Sequence, residues 1–347
     1  MLKKKYVPRS VLYELTLGCN MRCIHCGSSA GVDRSKELST EDWDKLTKDI
    51  YDLGGRDITL LGGEPLLRKD WYEVSKTIRD YDMDLTIISN GLLIDKKIIE
   101  KLRKLDPHSV ALSFDGASPK THDEIRQVKG SFEHVKKAFK MLRDANISTG
   151  AITTLSKINF QDLPEMRDFL LDKKIAWQIQ IAAPLGRFPR DLMLSPEEFY
   201  SVAMFISATR KKINLERLPV MGAHVFGYNS KYLTNVNIVP VWRGCQAGIS
   251  GLGIQSNGGV KGCLSLSDEY TEGNIKEKSI KEIWNDPNFA SYNRNFKKED
   301  AGKNCISCKY LKKCRGGCLT VSKSVTGKEH NDSYCFKLIE ESDSFKI

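Results

Sequence analysis

No apolar run in the 347 residues reaches the ~18 that a membrane-spanning helix needs. The chain starts Met1-Leu-Lys-Lys-Lys-Tyr, basic like a signal peptide, yet Glu14 interrupts the apolar segment behind it, which argues against export. There is no fixed-period repeat and no low-complexity tract, so a solenoid or a linker-like chain is excluded. Nor is there a basic tract. The 54 lysines and arginines against 44 acids leave a net charge of +10. The lysines are scattered over helix-like segments (Lys96, Lys97, Lys101, Lys104; Lys136, Lys137, Lys140), as on a solvated surface. A cytoplasmic protein is expected, with no membrane partner and no nucleic acid.

Cysteine is missing from most of the chain, and that gap is informative. Ten cysteines occur, at 19, 23 and 26 and then at 245, 263, 305, 308, 314, 318 and 335, with more than two hundred residues between the groups. In a reducing cytoplasm, grouped cysteines point to metal ligands rather than disulfides. Hydrophobic residues at 40% and charged residues at 28% describe a globular chain. Its length suits about two domains, or one large barrel with an appendage.

Residues 11–17, 57–61, 85–88, 110–114, 149–154 and 177–181 read as strands. Helices are expected over 40–53, 71–80, 96–105, 132–144, 164–171 and 196 to about 211. The first is opened by Ser39 and stopped by Gly54-Gly55; the last is opened by Ser195-Pro196-Glu197-Glu198. Six such units imply a parallel α/β sheet, either open and doubly wound or a (β/α) barrel, with function at the carboxyl ends of the strands. Residues 1–212 form this unit, 213–240 a bridging segment, and 241–347 a glycine-rich, loop-rich domain organised by metal.

Cys19, Cys23 and Cys26 follow the first strand directly. A structural zinc site takes four ligands, and His25 as a fourth would be strained beside Cys26. On a four-iron cluster, three cysteines leave one iron open for chemistry. Gly62-Gly63-Glu64-Pro65, Ser89-Asn90-Gly91 and Ser113-Phe114-Asp115-Gly116 close strands two, three and four. By themselves they read as turns.

Together, CxxxCxxC after strand one and GGEP after strand two resemble the radical S-adenosylmethionine (SAM) superfamily. The resemblance implies a partial (β/α)6 TIM barrel. It further implies that backbone carbonyls at Gly62 and Gly63, with Glu64, bind the methionine ammonium. Ser89, Asn90, Ser113 and Asp115 would surround the ribose and the methionine carboxylate. Arg126 would pair with that carboxylate, and His25 would lie against adenine.

The spacing of Cys305, Cys308, Cys314 and Cys318 suits a zinc ribbon. With Cys245, Gly258 and Cys263 upstream, and Asn274-Ile275 and Ile283-Trp284 between, the pattern instead resembles the SPASM domain, the auxiliary-cluster module of many radical SAM enzymes. That resemblance implies two auxiliary clusters: one on Cys305, Cys308, Cys314 and Cys335, the other on Cys245, Cys263 and Cys318. Three [4Fe-4S] clusters then use every cysteine. Some relatives have an eighth cysteine just upstream; residues 237–242 offer none, leaving an open iron or a non-cysteine ligand.

The implied reaction is reductive cleavage of SAM to methionine and a 5′-deoxyadenosyl radical, which abstracts hydrogen from the substrate. The favoured substrate is a ribosomally made peptide or a protein side chain, cross-linked or oxidised. A reductant such as flavodoxin or ferredoxin is expected. No leader-recognition domain is visible, so a separate leader-binding protein or direct leader binding is expected. Alternatives are a sulfatase-type (formylglycine) maturase, opposed by the distance of Asp268 from Cys263, and a tetrapyrrole or redox-cofactor enzyme. A zinc-ribbon nucleic-acid binder leaves GGEP unexplained, and an iron–sulfur electron carrier leaves the SAM-type strand ends unexplained.

Overall fold

Parallel strands need crossover helices, and the alternation along the chain supplies them. In the computed structural model, which describes residues 6–227, 229–237 and 243–342, this alternation yields one nine-stranded sheet. Its strands are β1 (Ser10–Thr16), β2 (Asp57–Gly62), β3 (Asp84–Ser89), β4 (Ser109–Ser113), β5 (Thr149–Leu155), β6 (Ile175–Ile181), β7 (Val220–Gly222), β8 (Gly251–Ile254) and β9 (Val260–Lys261). The order is β7-β6-β5-β4-β3-β2-β1-β8-β9, parallel throughout except for the β8–β9 hairpin. The sheet is open, and its edges β7 and β9 do not pair. It is the partial barrel that the sequence implied.

The helices between strands are α1 (Thr40–Leu53), α2 (Trp71–Asp80), α3 (Lys96–Leu105), α4 (Pro119–Arg126), α5 (Ser131–Asp144), α6 (Leu163–Leu170) and α7 (Pro196–Lys212). Ser39 and Ser195 form capping boxes with Asp42 and Glu198, and Gly54 closes α1 in the left-handed region at φ 102°. These ends fall where the sequence put them. Helix α4, which carries Arg126, lies outside the helices read from the periodicity. Three strands lie beyond the six expected units: β7 within 213–240, and β8 and β9 past residue 241, where β8 pairs with β1. The first barrel strand is therefore sandwiched between β2 and a strand of the rear segment. The basic residues 1–5 and positions 238–242, where an eighth cysteine was sought, lie outside the described residues. No helix among the described residues is long and apolar enough to cross a membrane.

Each strand has one fully buried face. Ile58 and Leu60, Leu85 and Ile87, Val110 and Leu112, and Trp177 and Ile179 pack against helix residues such as Trp43, Ile50, Val74, Leu102 and Phe139. The alternate positions (Thr59 and Leu61, Thr86 and Ile88, Ile152 and Thr154, Gln178 and Gln180) are only half-buried and line the concave side. Helices cover one face of the sheet; the other is left as a lumen.

Barrel and rear segment are joined around a partly buried ion pair. Glu14, on β1, is paired with Arg34 (Nε to Oε1 2.5 Å, Nη2 to Oε2 3.2 Å) and accepts from the Ser256 amide and hydroxyl just past β8. Arg34 Nη1 also reaches Asp268 at 2.9 Å. Removing one partner of a buried pair leaves the other charge uncompensated, a cost of about 3–5 kcal/mol. Arg34→Met is thus expected to lower the unfolding free energy of anaerobically purified protein by a few kcal/mol, read as a lower denaturation midpoint. An unchanged midpoint would show that the pair does not hold the seam.

Candidate active site

The carboxyl ends of β1–β4 meet in one place. Past Thr16 the cysteine loop is folded back by Gly31 N donating to Leu17 O (2.9 Å) and by Arg187, which donates to Cys23 O (3.2 Å) and Ala30 O (2.8 Å). The turn after β2 is pinned to this loop: Gly63 N donates to Thr16 O and Glu64 N to Gly18 O, both at 2.8 Å. A Cβ at position 63 would stand 2.0 Å from Gly18 O, so only glycine allows that approach. The GGEP turn and the cysteine loop are therefore a single unit.

Glu64 is fully buried. Its carboxylate accepts from Ser89 Oγ (2.8 Å), Asn90 N (2.7 Å) and Leu66 N (3.2 Å). Burial outweighs these donors and pushes its pKa up to about 7. Asn90 in turn donates to Asn20 Oδ1 in the cysteine loop at 2.7 Å. Asp115, also fully buried, accepts from Thr154 N (2.7 Å), lies 3.1 Å from His25 Nε2, and is bonded to Arg126 Nη2. Burial alone would raise its pKa, but Arg126 and His25 hold the carboxyl well below the usual range. Arg126 Nη1 stands 3.6 Å from Cys23 Sγ. The structure thus gathers Cys23, His25, Asp115 and Arg126 into one cluster, and Glu64, Ser89 and Asn90 into a second. Ser113 is half-buried at the end of β4, outside both sets. His25 and Arg126, expected at adenine and at a carboxylate, both meet Asp115.

Sequence reasoning passed over three residues here. Asn20 sits inside the cysteine motif. His122 accepts from the Asp115 amide through Nδ1 at 3.2 Å, and burial lowers its pKa to about 4, so the ring is neutral. His224, after β7, lies 3.6 Å from Cys318 Sγ. Ser118-Pro119, an N-cap followed by proline at the first helical position, was a readable signal for the helix that carries His122 and Arg126.

Behind the barrel the seven remaining cysteines fall into two sets. Cys245, Cys263 and Cys318 lie close enough that charge on one raises the pKa of its neighbours, after burial as the larger cause. In the second set Cys305, Cys314 and Cys335 are raised by burial first and then by Asp332 and the neighbouring charges of Cys308 and Cys314. Cys318 caps the helix Leu319–Thr326 and stands with the first set, away from the zinc-ribbon grouping that spacing suggested. Among the described residues no three Cys, His, Asp or Glu side chains converge as ligands of a single metal ion do. An iron–sulfur cube spaces its thiolates more widely.

Comparison with known proteins agrees. The radical SAM superfamily matches residues 13–170 and an iron–sulfur cluster-binding domain, SPASM, matches residues 245–309. This is a radical SAM enzyme with a SPASM domain. It is 28% identical to the AdoMet-dependent heme synthase of Methanosarcina barkeri over 96% of this chain and 98% of that protein. It is 26% identical to mycofactocin maturase MftC of Mycolicibacterium smegmatis over 92% of this chain and 80% of that one. Its fold matches Streptococcus suis SuiB, solved with the precursor peptide SuiA, at a TM-score of 0.77 and 21% identity over 95% of this chain and 76% of SuiB.

The two domains imply SAM and iron–sulfur clusters, and the residues fit both. All ten cysteines are free. Arg126 Nε is buried without a hydrogen-bond partner, a donor that an incoming carboxylate would take up. Protein reconstituted with iron and sulfide is expected to hold about twelve irons, and the triple variant Cys19→Ala, Cys23→Ala, Cys26→Ala about eight. About four irons in the variant, or zinc on Cys305, Cys308 and Cys314, would break the three-cluster assignment.

Proposed function

We propose that this radical SAM enzyme takes a hydrogen atom from a side chain of a ribosomally made peptide or protein, leading to cross-linking or oxidation in the cytoplasm. The supporting observation is the chemistry of the lumen. Thr59, Thr86, Thr154, Gln178 and Gln180 line it with uncharged donors and acceptors between Leu61, Ile88 and Ile152. Glu14, on the same side of β1, is neutralised by Arg34. Such a surface suits amide groups and apolar side chains. Mycofactocin maturase, aligned over most of the chain, supports the same substrate class.

When bound, SAM on the front cluster supplies the 5′-deoxyadenosyl radical. The chain's own residues hold the pieces in place. Arg126, already charged and desolvated, would grip the methionine carboxylate through its unpartnered Nε. Asp115 holds that guanidinium and His25 in fixed orientation. Glu64 fixes Ser89 and Asn90, and so sets the floor on which the ribose would rest. Electrons would come from a small donor such as flavodoxin or ferredoxin. The sulfatase-type reading loses its base: Asp268 is paired with both Arg34 (2.9 Å) and Lys261 (3.1 Å), and these partners lower its pKa against the opposing effect of burial.

A second reading, hydrogen abstraction from a tetrapyrrole side chain ahead of decarboxylation or oxidation, is favoured by the likeness to AdoMet-dependent heme synthase over nearly the whole chain. Mass spectrometry separates the two. Iron coproporphyrin incubated with loaded enzyme, SAM and dithionite is expected to keep its mass; loss of carbon dioxide would establish the second reading instead.

Loaded enzyme under reductant is expected to release 5′-deoxyadenosine, and Cys23→Ala is not. Arg126→Ala is expected to keep its iron but to bind SAM about ten- to a hundredfold more weakly, the worth of one charge-assisted hydrogen bond. Unchanged SAM affinity by calorimetry would remove Arg126 from the binding set.

A further inference from the structure

The three sulfurs of Cys245, Cys263 and Cys318 take most of their hydrogen bonds from the rear segment itself. Ala247 and Leu319 amides serve Cys245, Ser265 serves Cys263, and the Thr320 and Val321 amides serve Cys318. His224 is different. It comes from the barrel, two residues past the end of β7, and its Nε2 reaches Cys318 Sγ at 3.6 Å. The residue keeps exposed surface. Its neighbours Ala223 and Val225 are buried, and Ala223 N donates to Ile179 O on β6 at 2.7 Å, so the ring is carried on ordered backbone.

We propose that His224 is a positioning residue for the three-cysteine auxiliary cluster, donating an Nε2–H hydrogen bond to the Cys318 sulfur and raising the reduction potential of that cluster. The inference rests on Cys245, Cys263 and Cys318 holding one cluster. The positive end of an N–H dipole stabilises the more negative, reduced cluster more than the oxidised one, so the potential rises. The distance fits a hydrogen bond to sulfur. Because the donor follows β7 of the barrel sheet, the cluster is tuned from outside the segment that carries its cysteines.

The test is a potentiometric titration of the fully loaded enzyme followed by electron paramagnetic resonance. The three-cysteine cluster is identified as the signal that Cys263→Ser perturbs. If Cys263→Ser perturbs no signal, the cluster assignment itself fails, whatever His224 does. Given that signal, His224→Leu is expected to move it to a more negative potential, leave the other two in place, and leave iron content unchanged. His224→Gln, whose amide can still donate, is expected to recover most of the shift. As a second measurement, wild-type enzyme exchanged into heavy water should show a deuteron coupled to this cluster that is absent in His224→Leu. An unmoved potential with the deuteron coupling retained overturns the proposal. So does loss of about four irons in His224→Leu, which would make the imidazole a ligand.

Discussion

A buried carboxylate has to find donors, and Glu64 finds them at the end of β3 and in its own turn after β2. Its side chain collects the Ser89 hydroxyl and the Asn90 amide from the end of β3, while its own amide is given to Gly18 in the cysteine loop. Breaking any one of these leaves an unsatisfied group where water does not reach. The turn after β2 therefore fixes both the loop that carries Cys19, Cys23 and Cys26 and the floor beside it. Asp115 repeats the arrangement one strand farther on, binding Arg126, His25 and the β5 backbone at Thr154. Two enclosed carboxylates thus organise the strand ends, which is the preorganisation that radical chemistry in a dry site demands.

The rear segment is built onto the barrel rather than tethered to it. β8 extends the sheet beyond β1, and Arg34 joins Glu14 on β1 to Asp268 near Cys263. The front loop and the nearer rear cysteines are consequently held by neighbouring strands of one sheet, and the relative position of the two districts is set by backbone hydrogen bonds.

Much of this was readable in the sequence because it is encoded locally. Capping boxes at Ser39 and Ser195, the Gly54 stop and the alternation of β2–β6 depend on residues a few positions apart. The cysteine motifs declare themselves by spacing. What escaped depends on partners far along the chain. β7 and β8 are three and four residues long, too short for a period to emerge. Helix α4 was passed over although Ser118-Pro119 announced it. The pairing of Arg126 with Asp115 could not be seen, because each residue alone matched a ligand-binding role; only the structure shows that they hold each other as well. His224 carried no motif at all, and its meaning comes from Cys318, 94 positions away.

The proposed chemistry depends on where the hydrogen atom comes from. A perdeuterated candidate peptide, turned over by loaded enzyme with SAM and reductant, makes this measurable as deuterium in the recovered 5′-deoxyadenosine. The account predicts one deuterium per molecule of 5′-deoxyadenosine in step with loss of hydrogen from the peptide. Unlabelled 5′-deoxyadenosine from a peptide that is nevertheless modified would contradict it.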